Sequence, residues 1–378
     1  MDPSLAETLT SWRRHLHANP ELTLQEAKTA AFVCEKLKEL GIPFTSGVGG
    51  HGVVGTINRG QSNRSVGLRA DMDALPIAET TDLPYASQNP GVMHACGHDG
   101  HTTSLLGAAA LLSQDDSWSG TVHVVFQPAE EGGGGAKSMI ADGLFNRFPM
   151  ERIFGYHNWP GLEAGTVAVH DGPVMAAGGR IEFRIKGRAS HAALPHLSRD
   201  PMIAAAHLLL ALQSVVSRET DPMQSAVISV CTIHAGTASN QIPEEAVMRG
   251  TMRSLRPEVR DATDAAMRRV AAGIAQTFGV EVDAMIRHGN TITHNRSDDA
   301  ELSAQAAAQA GLTVRRDLPP AMTGEDFSWY LVEKPGSFVW IGNGDTAGLH
   351  NDRYDYNDAV LPSAATYLAS VAKRALSG

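Results

Sequence analysis

Strand-like and helix-like segments alternate through the amino-terminal part of this 378-residue chain, and that order limits its fold more than any other feature. Residues 24–40 carry a helical stripe ended by Gly41, and residues 53–57 and 66–68 read as short strands leading into polar turns. A helix is expected over residues 102–112. The segment TVHVVFQ, residues 121–127, is apolar, β-branched and bounded by Gly120 and Pro128, so it reads as a strand. Another helix is expected from near Ala136. Alternation of this kind implies an α/β fold with a mostly parallel sheet covered on both faces.

The pattern changes after Gly178-Gly179. Residues 180–186 read as a strand, 201–218 as a helix, 226–233 and 246–254 as strands, 262–278 as a helix and 280–287 as a fourth strand. The order β-α-β-β-α-β is that of a ferredoxin-like unit. Beyond Asn290 the α/β alternation resumes, with helices expected at 299–308, 325–331 and 359–376 and a strand at 337–341. The expected division is therefore 1–177 and 291–378 as one interrupted domain and 178–290 as an insertion, in keeping with roughly 100–200 residues per domain.

The chain carries 41 acidic against 31 basic residues, and no run of Lys and Arg interleaves with aromatics, which argues against a nucleic-acid surface. Its amino end has no apolar signal core, and no run of about 18 apolar residues occurs, so no membrane association and a cytoplasmic location are expected. Cys34, Cys96 and Cys231 cannot make a disulfide framework. Cys34 and Cys231 sit in patterned segments and read as core filler, whereas Cys96 does not.

Cys96 belongs to MHACGHDGH, residues 93–101, which packs a thiol, imidazoles and a carboxylate together. A glycine run at Gly47 to Gly52 matches a dinucleotide-loop spacing but precedes a strand, whereas a cofactor loop must open a helix. Gly132 to Gly135 reads as a flexible entry to the next helix. Asp71 and Asp73 follow one expected strand, Glu130 and Glu131 another, and His157 follows residues 153–156. All lie past carboxyl ends of strands, the rim where open α/β sheets place ligands. Cys96 and His98 join that rim from the loop before residue 102, and His350 from the loop after Ile341.

Glu130 and Glu131 would repel one another in a dry cleft unless cations neutralise them, and the Cys-x-His pair offers soft and hard ligands. One structural zinc needs only four closed ligands. The set Cys96, His98, Glu131, His157 and His350 is larger and favours two divalent ions with an open position, Cys96 bridging them as thiolate. Glu130 is left free to act as general base. One of Asp71 and Asp73 would orient a ligating imidazole, and His94 and His101 read as supporting residues.

The motifs RRHLHANPEL at Arg13, RADMDALPI at Arg69, MHACGHD at Met93, FQPAEEGGGGA at Phe126, YHNWPG at Tyr156, ASHAALPH at Ala189, TGEDFSWY at Thr323 and GLHNDRYDYND at Gly348 span nearly the whole chain. In these the sequence resembles the amidohydrolase branch of the aminoacylase and carboxypeptidase superfamily of dinuclear metallopeptidases. The resemblance implies a catalytic domain, 1–177 with 291–378, interrupted by a lid domain, 178–290, that in many relatives mediates dimerisation. It implies two divalent ions (Mn, Zn, Co or Ni) on Cys96, His98, Glu131, His157 and His350, Glu130 as general base, and Asp73 orienting a ligand. Within the lid it assigns His191, in its own or in the neighbouring subunit, to the substrate or developing oxyanion, and Asn240 and Arg253 to the substrate's amino-acid part. The implied reaction is amide hydrolysis of an N-acyl amino acid; the alternatives are a dipeptidase on the same centre and a noncatalytic binding protein on the same fold. Asn351 and Asp352 stand where relatives commonly carry Ser-Pro, and Glu163 where Pro is frequent.

Overall fold

A computed structural model describes residues 2–377 as two compact units. The first unit comprises the described residues through Val174, His294–Pro319 and those from Asp326 onward; the second comprises Met175–Thr293 and Pro320–Glu325.

An eight-stranded sheet forms the first unit, in the order Phe44–Val48, Gly52–Arg59, Gly120–Gln127, Ser65–Asp71, Arg152–Pro160, Gly336–Gly344, Thr166–Ala168 and Thr313–Arg315. The four central strands, from Gly120–Gln127 to Gly336–Gly344, run parallel. Antiparallel pairings flank them on both sides. Val66, Leu68, Val122, Val124, Phe154, Val339 and Ile341 are buried in one core with the helices. Because the central strands are parallel, their carboxyl ends, at Asp71, Gln127, Pro160 and Gly344, share one edge. The glycine-rich run after Val48 is the turn of an antiparallel hairpin, as its position before a strand requires.

Helix His98–Gln114 is buried nearly all round and packs against Leu361–Ser377 and Pro3–Ala18. The last of these had no counterpart in the periodicity, because its buried face carries Arg13 and His17 alongside Leu9, Leu16 and Ala18. Asp2 caps it, accepting from the Ser4 N–H. Helix Ser328–Glu333 starts three residues later than expected.

In the second unit, strands Ala226–Ala235, Glu245–Ser254, Ala177–Lys186 and Glu281–His288 pair antiparallel in that order. Helices Pro201–Ser214 and Pro257–Phe278 bury Ala204, Leu208, Leu212, Ala266 and Met267 against Ile181, Phe183, Ile185 and Met248. The helical run Pro201–Glu219 is long and apolar enough to cross a membrane, but its Ala204, Ala205, Leu208, Leu212 and Val215 lie in this core. Cys231 is exposed and not core filler. It is the extra residue where the register shifts between Val230 and Thr232, and a bulge turns its side chain out of the alternation. Cys34 is partly buried and packs against the first unit's core.

Candidate metal centre

His98 opens the helix His98–Gln114 directly after Gly97, whose φ is 92°. A Cβ on Gly97 would lie 2.4 Å from Asn158 Oδ1 and 2.5 Å from the Tyr354 hydroxyl, so only glycine fits this turn. The turn places the His98 ring over Asp73. Nδ1 donates to the Asp73 carbonyl at 2.8 Å and lies 3.3 Å from its carboxylate. A carbonyl can only accept, so Nδ1 carries the hydrogen and Nε2 is the atom turned to the cluster.

His157 repeats this arrangement from a strand. Its Nδ1 donates to the Asn158 carbonyl at 2.7 Å, leaving Nε2 3.4 Å from Cys96 Sγ. His157 lies inside Arg152–Pro160 and not past it, since that strand runs beyond the expected 153–156.

The acidic residues arrive on the loop after Gly120–Gln127. Ala129 adopts φ 57°, a left-handed conformation uncommon for a residue with a side chain, and its N–H donates to buried Glu26 at 2.9 Å. The Asp73 carboxylate accepts from both backbone N–H groups that follow, Glu130 at 3.1 Å and Glu131 at 3.0 Å, and from the Thr23 hydroxyl at 2.6 Å. Glu130 Oε1 accepts from the Asp326 N–H at 3.2 Å. His350 also has a positive φ, 61°, and its N–H is tied to the Ala95 carbonyl at 2.8 Å. Its half-exposed ring brings Nε2 to 3.2 Å from Glu131 Oε1.

The expected ligands therefore meet. Ligand atoms of Cys96, His98 and His157 lie within 4.8 Å of one another; so do those of Cys96, Glu131 and His350, and those of His98, Glu130 and Glu131. Cys96 is common to the first two groups.

Electrostatics tests whether this set fits cations. Burial pushes the Cys96 thiol well above its ordinary value, and Glu131 and Glu130 push it further. Burial lowers His98, but Asp71, Asp73 and Glu131 outweigh it and raise the group to about 10, favouring positive charge at Nε2. Burial and then His101 hold His157 well below its ordinary value, leaving it neutral with a free lone pair. Anionic groups crowded around two oriented imidazoles leave an excess of negative charge that divalent cations would neutralise, and thiolate, carboxylate and neutral imidazole are the ligand forms they need. The residues fit a dinuclear divalent site.

Asp71 is the last residue of its strand and is already engaged, with Arg69 at 2.7 Å and His101 Nδ1 at 2.6 Å. Despite complete burial, Arg69, His98 and His101 hold its pKa well below the usual carboxylate range. His101 thus supports from beneath, packing against His157 with ring centroids 4.7 Å apart. Asp99 faces away and pairs with His17 and Arg13. His94 is buried, and neither ring nitrogen meets a hydrogen-bond partner among the described residues.

The second unit holds His191, Asn240 and Arg253. His191 pairs with Gln241 across two short strands, and the Ala192 N–H donates to the Asn240 carbonyl at 3.0 Å, so His191 and Asn240 are neighbours. His191 Nδ1 accepts from the Ala193 N–H at 3.1 Å. Arg253 stands apart in Glu245–Ser254, its Nη1 donating to the Met252 carbonyl at 2.8 Å. Asn351 caps its own turn by accepting from the Arg353 N–H, and Asp352 accepts from Thr80. Three buried residues to which the sequence assigned no role, Arg69, Gln127 and Asp326, are hydrogen-bonded to one another in the same unit. Their only signal was membership of three of the motifs quoted above.

An α/β sheet whose parallel rim gathers a thiol, imidazoles and paired carboxylates defines a dinuclear metallohydrolase. The chain belongs to peptidase family M20/M25/M40, whose model matches residues 67–374. It is 40% identical to the hippurate hydrolase of Campylobacter jejuni over 366 residues, 96% of this chain and 95% of that protein. It is also 40% identical to the N-acetyl-L-cysteine deacetylase of Bacillus subtilis, over 99% of this chain and 89% of that one. The crystal structure of the Bacillus subtilis YXEP protein, a dinuclear metal-binding peptidase from the M20 family, is similar at TM-score 0.89 and 36% identity, covering 100% of this chain and 99% of that one.

Proposed function

We propose that this protein hydrolyses the amide bond of N-acyl amino acids, releasing a carboxylate and a free amino acid. The observation that carries the reading is Glu130: a carboxylate oriented by the Asp326 N–H, on a loop held by Asp73, within reach of the gathered ligand atoms. The hippurate hydrolase and N-acetyl-L-cysteine deacetylase relatives support the substrate class.

Cys96, His98, Glu131, His157 and His350 would hold two divalent cations. When bound, such ions supply Lewis acidity toward the amide carbonyl and a water molecule. Glu130 takes the proton from the attacking water and returns it to the departing amine nitrogen, so one carboxylate acts as base and then acid. Asp73 fixes the His98 tautomer and the loop bearing both glutamates. His191 is assigned to the developing oxyanion, and Asn240 and Arg253 to the carboxylate of the amino-acid part; each offers donors suited to that charge. Mn, Zn, Co and Ni all suit this mixed donor set.

Glu130→Gln tests the reading: metal content should be kept while kcat falls by about 10²–10⁴, the usual worth of a general base. Undiminished turnover would remove Glu130 from its role. Parallel assays on N-acetyl and N-benzoyl amino acids and on dipeptides decide the substrate, and cleavage confined to dipeptides would overturn it. We further infer a cytoplasmic homodimer or higher homo-oligomer joined through the second unit, where Met202, Ile203 and Leu210 lie exposed on one helix; light scattering that gives a monomer mass would exclude it.

A further inference from the structure

Arg69 is completely buried beneath the metal centre, in the strand Ser65–Asp71, and the mechanism above gives it no part. Its Nη1 donates to Asp71 Oδ2 at 2.7 Å, its Nη2 to Asp326 Oδ1 at 3.0 Å and its Nε to Gln127 Oε1 at 2.8 Å. Each carboxylate on this fork leads to a different part of the site. Asp71 accepts from His101 Nδ1 at 2.6 Å, and the His101 ring packs edge-on against His157. Asp71 Oδ2 also lies 3.7 Å from His98 Nε2. Asp326 accepts through its carboxylate from Gln127 Nε2 at 2.8 Å and from the Ala136 N–H at 3.0 Å, while its own N–H holds Glu130 Oε1.

We propose that Arg69 is a positioning residue that sets two functions from one guanidinium: the imidazole ligands through Asp71, and the Glu130 carboxylate through Asp326. A planar fork fixes the directions of both carboxylates at once, which an ammonium cannot do. Strand Ser65–Asp71 lies next to Gly120–Gln127, which leads into the Glu130 loop, on one side and next to Arg152–Pro160, which carries His157, on the other, so a single residue reaches both. The proposal rests on Glu130 and the five ligands acting as assigned above.

The two branches predict separable losses. Asp71→Asn should weaken Mn binding, read by titrating the metal-free protein against a chelating dye, by about 10- to 100-fold, the usual effect of removing a partner behind a ligand. Asp326→Asn keeps the backbone N–H but sets an amide NH2 against donors from Gln127 or Ala136. It should lower kcat by about 10-fold or more with Mn affinity within about twofold and KM little changed, as for an interaction made only in the transition state. Arg69→Lys should show both losses; if it does not fold, the two carboxylate variants carry the test. The proposal is overturned if either variant leaves its assigned readout unchanged, or if both readouts fall together in both variants in proportion to the loss of Tm. Glu130→Gln is assayed alongside: full activity there refutes the functional reading, whereas an inactive Glu130→Gln with an unaffected Asp326→Asn refutes this inference alone.

Discussion

Asp73→Asn removes one negative charge and keeps the side chain's size. The carboxylate accepts through Oδ1 from the Glu130 N–H and His98, and through Oδ2 from the Glu131 N–H and Thr23. An amide has one accepting oxygen. Whichever way it turns, its NH2 faces one of the two backbone N–H groups, and that donor loses its acceptor. The Thr23 hydroxyl can rotate to accept, and His98 retains the Asp73 carbonyl, so those losses are partly recovered. Hydrogen bonds to a charged acceptor are worth about 1.5–3 kcal/mol each and an orphaned buried donor costs about 1–3 kcal/mol, so the net destabilisation is about 3 kcal/mol. That corresponds to a fall in Tm of roughly 6–12 °C for a domain of this size. The same change loosens both the His98 ring and the glutamate loop, and kcat on an N-acyl amino acid at saturating Mn should fall about 10- to 100-fold. Scanning fluorimetry and steady-state kinetics read the two effects. A variant with Tm within about 2 °C and kcat within about twofold of the parent would refute the placement of Asp73 at the hub of the loop.

Removing metal should destabilise the protein, because the cluster then keeps its uncompensated carboxylates; restoring Mn to about 100 times its Kd adds about 2.7 kcal/mol, a rise in Tm of roughly 5–11 °C over the chelated form. Burial lowers His17, but hydrogen bonds to Asp99 and Glu79 raise it to about 9, above its ordinary 6.5. The stability it contributes, of the order of 3 kcal/mol, is therefore complete below pH 6.5 and lost as pH rises through 9, and Tm of His17→Gln should decline less over that interval. His123 runs the other way: burial holds it at about 4, so the folded state is penalised as pH falls from 6.5 toward 4, and His123→Gln should flatten the acid limb of urea unfolding. Gly97→Ala should cost about 2–4 kcal/mol and lower Mn affinity, since it combines a positive φ with a clash at the turn that aims His98.

The proposed ligand set could be picked out because metal chemistry demands particular side chains, and because Cys96 with His98, and Glu130 with Glu131, form two local pairs in the sequence. His157 and His350 were legible only as polar residues at expected strand ends, and the parallel order of the central strands is what brings those ends to one edge. The insertion's strands and helices were readable from two-residue and helical periodicities over an uninterrupted apolar core. The first helix was not, because Arg13 and His17 occupy its buried stripe as ion-pair partners of Asp358 and Asp99. The flanking strands Thr166–Ala168 and Thr313–Arg315 are too short to show a period at all.

Sequence by itself determined the chemical inventory and the order of the longer, periodic elements, since both follow from residue type and local spacing. Tertiary structure alone decided which atom of each residue faces the centre. The His98 and His157 tautomers depend on the carbonyls of Asp73 and Asn158, and Glu130 is aimed by the backbone of Asp326, 196 positions away in the chain. Arg69 shows the difference most plainly: a charged residue in a strand becomes intelligible only where folding places Asp71 and Asp326 on the same guanidinium. Hydrogen bonds are directional and short-ranged, so such assignments exist only once distant segments are packed together.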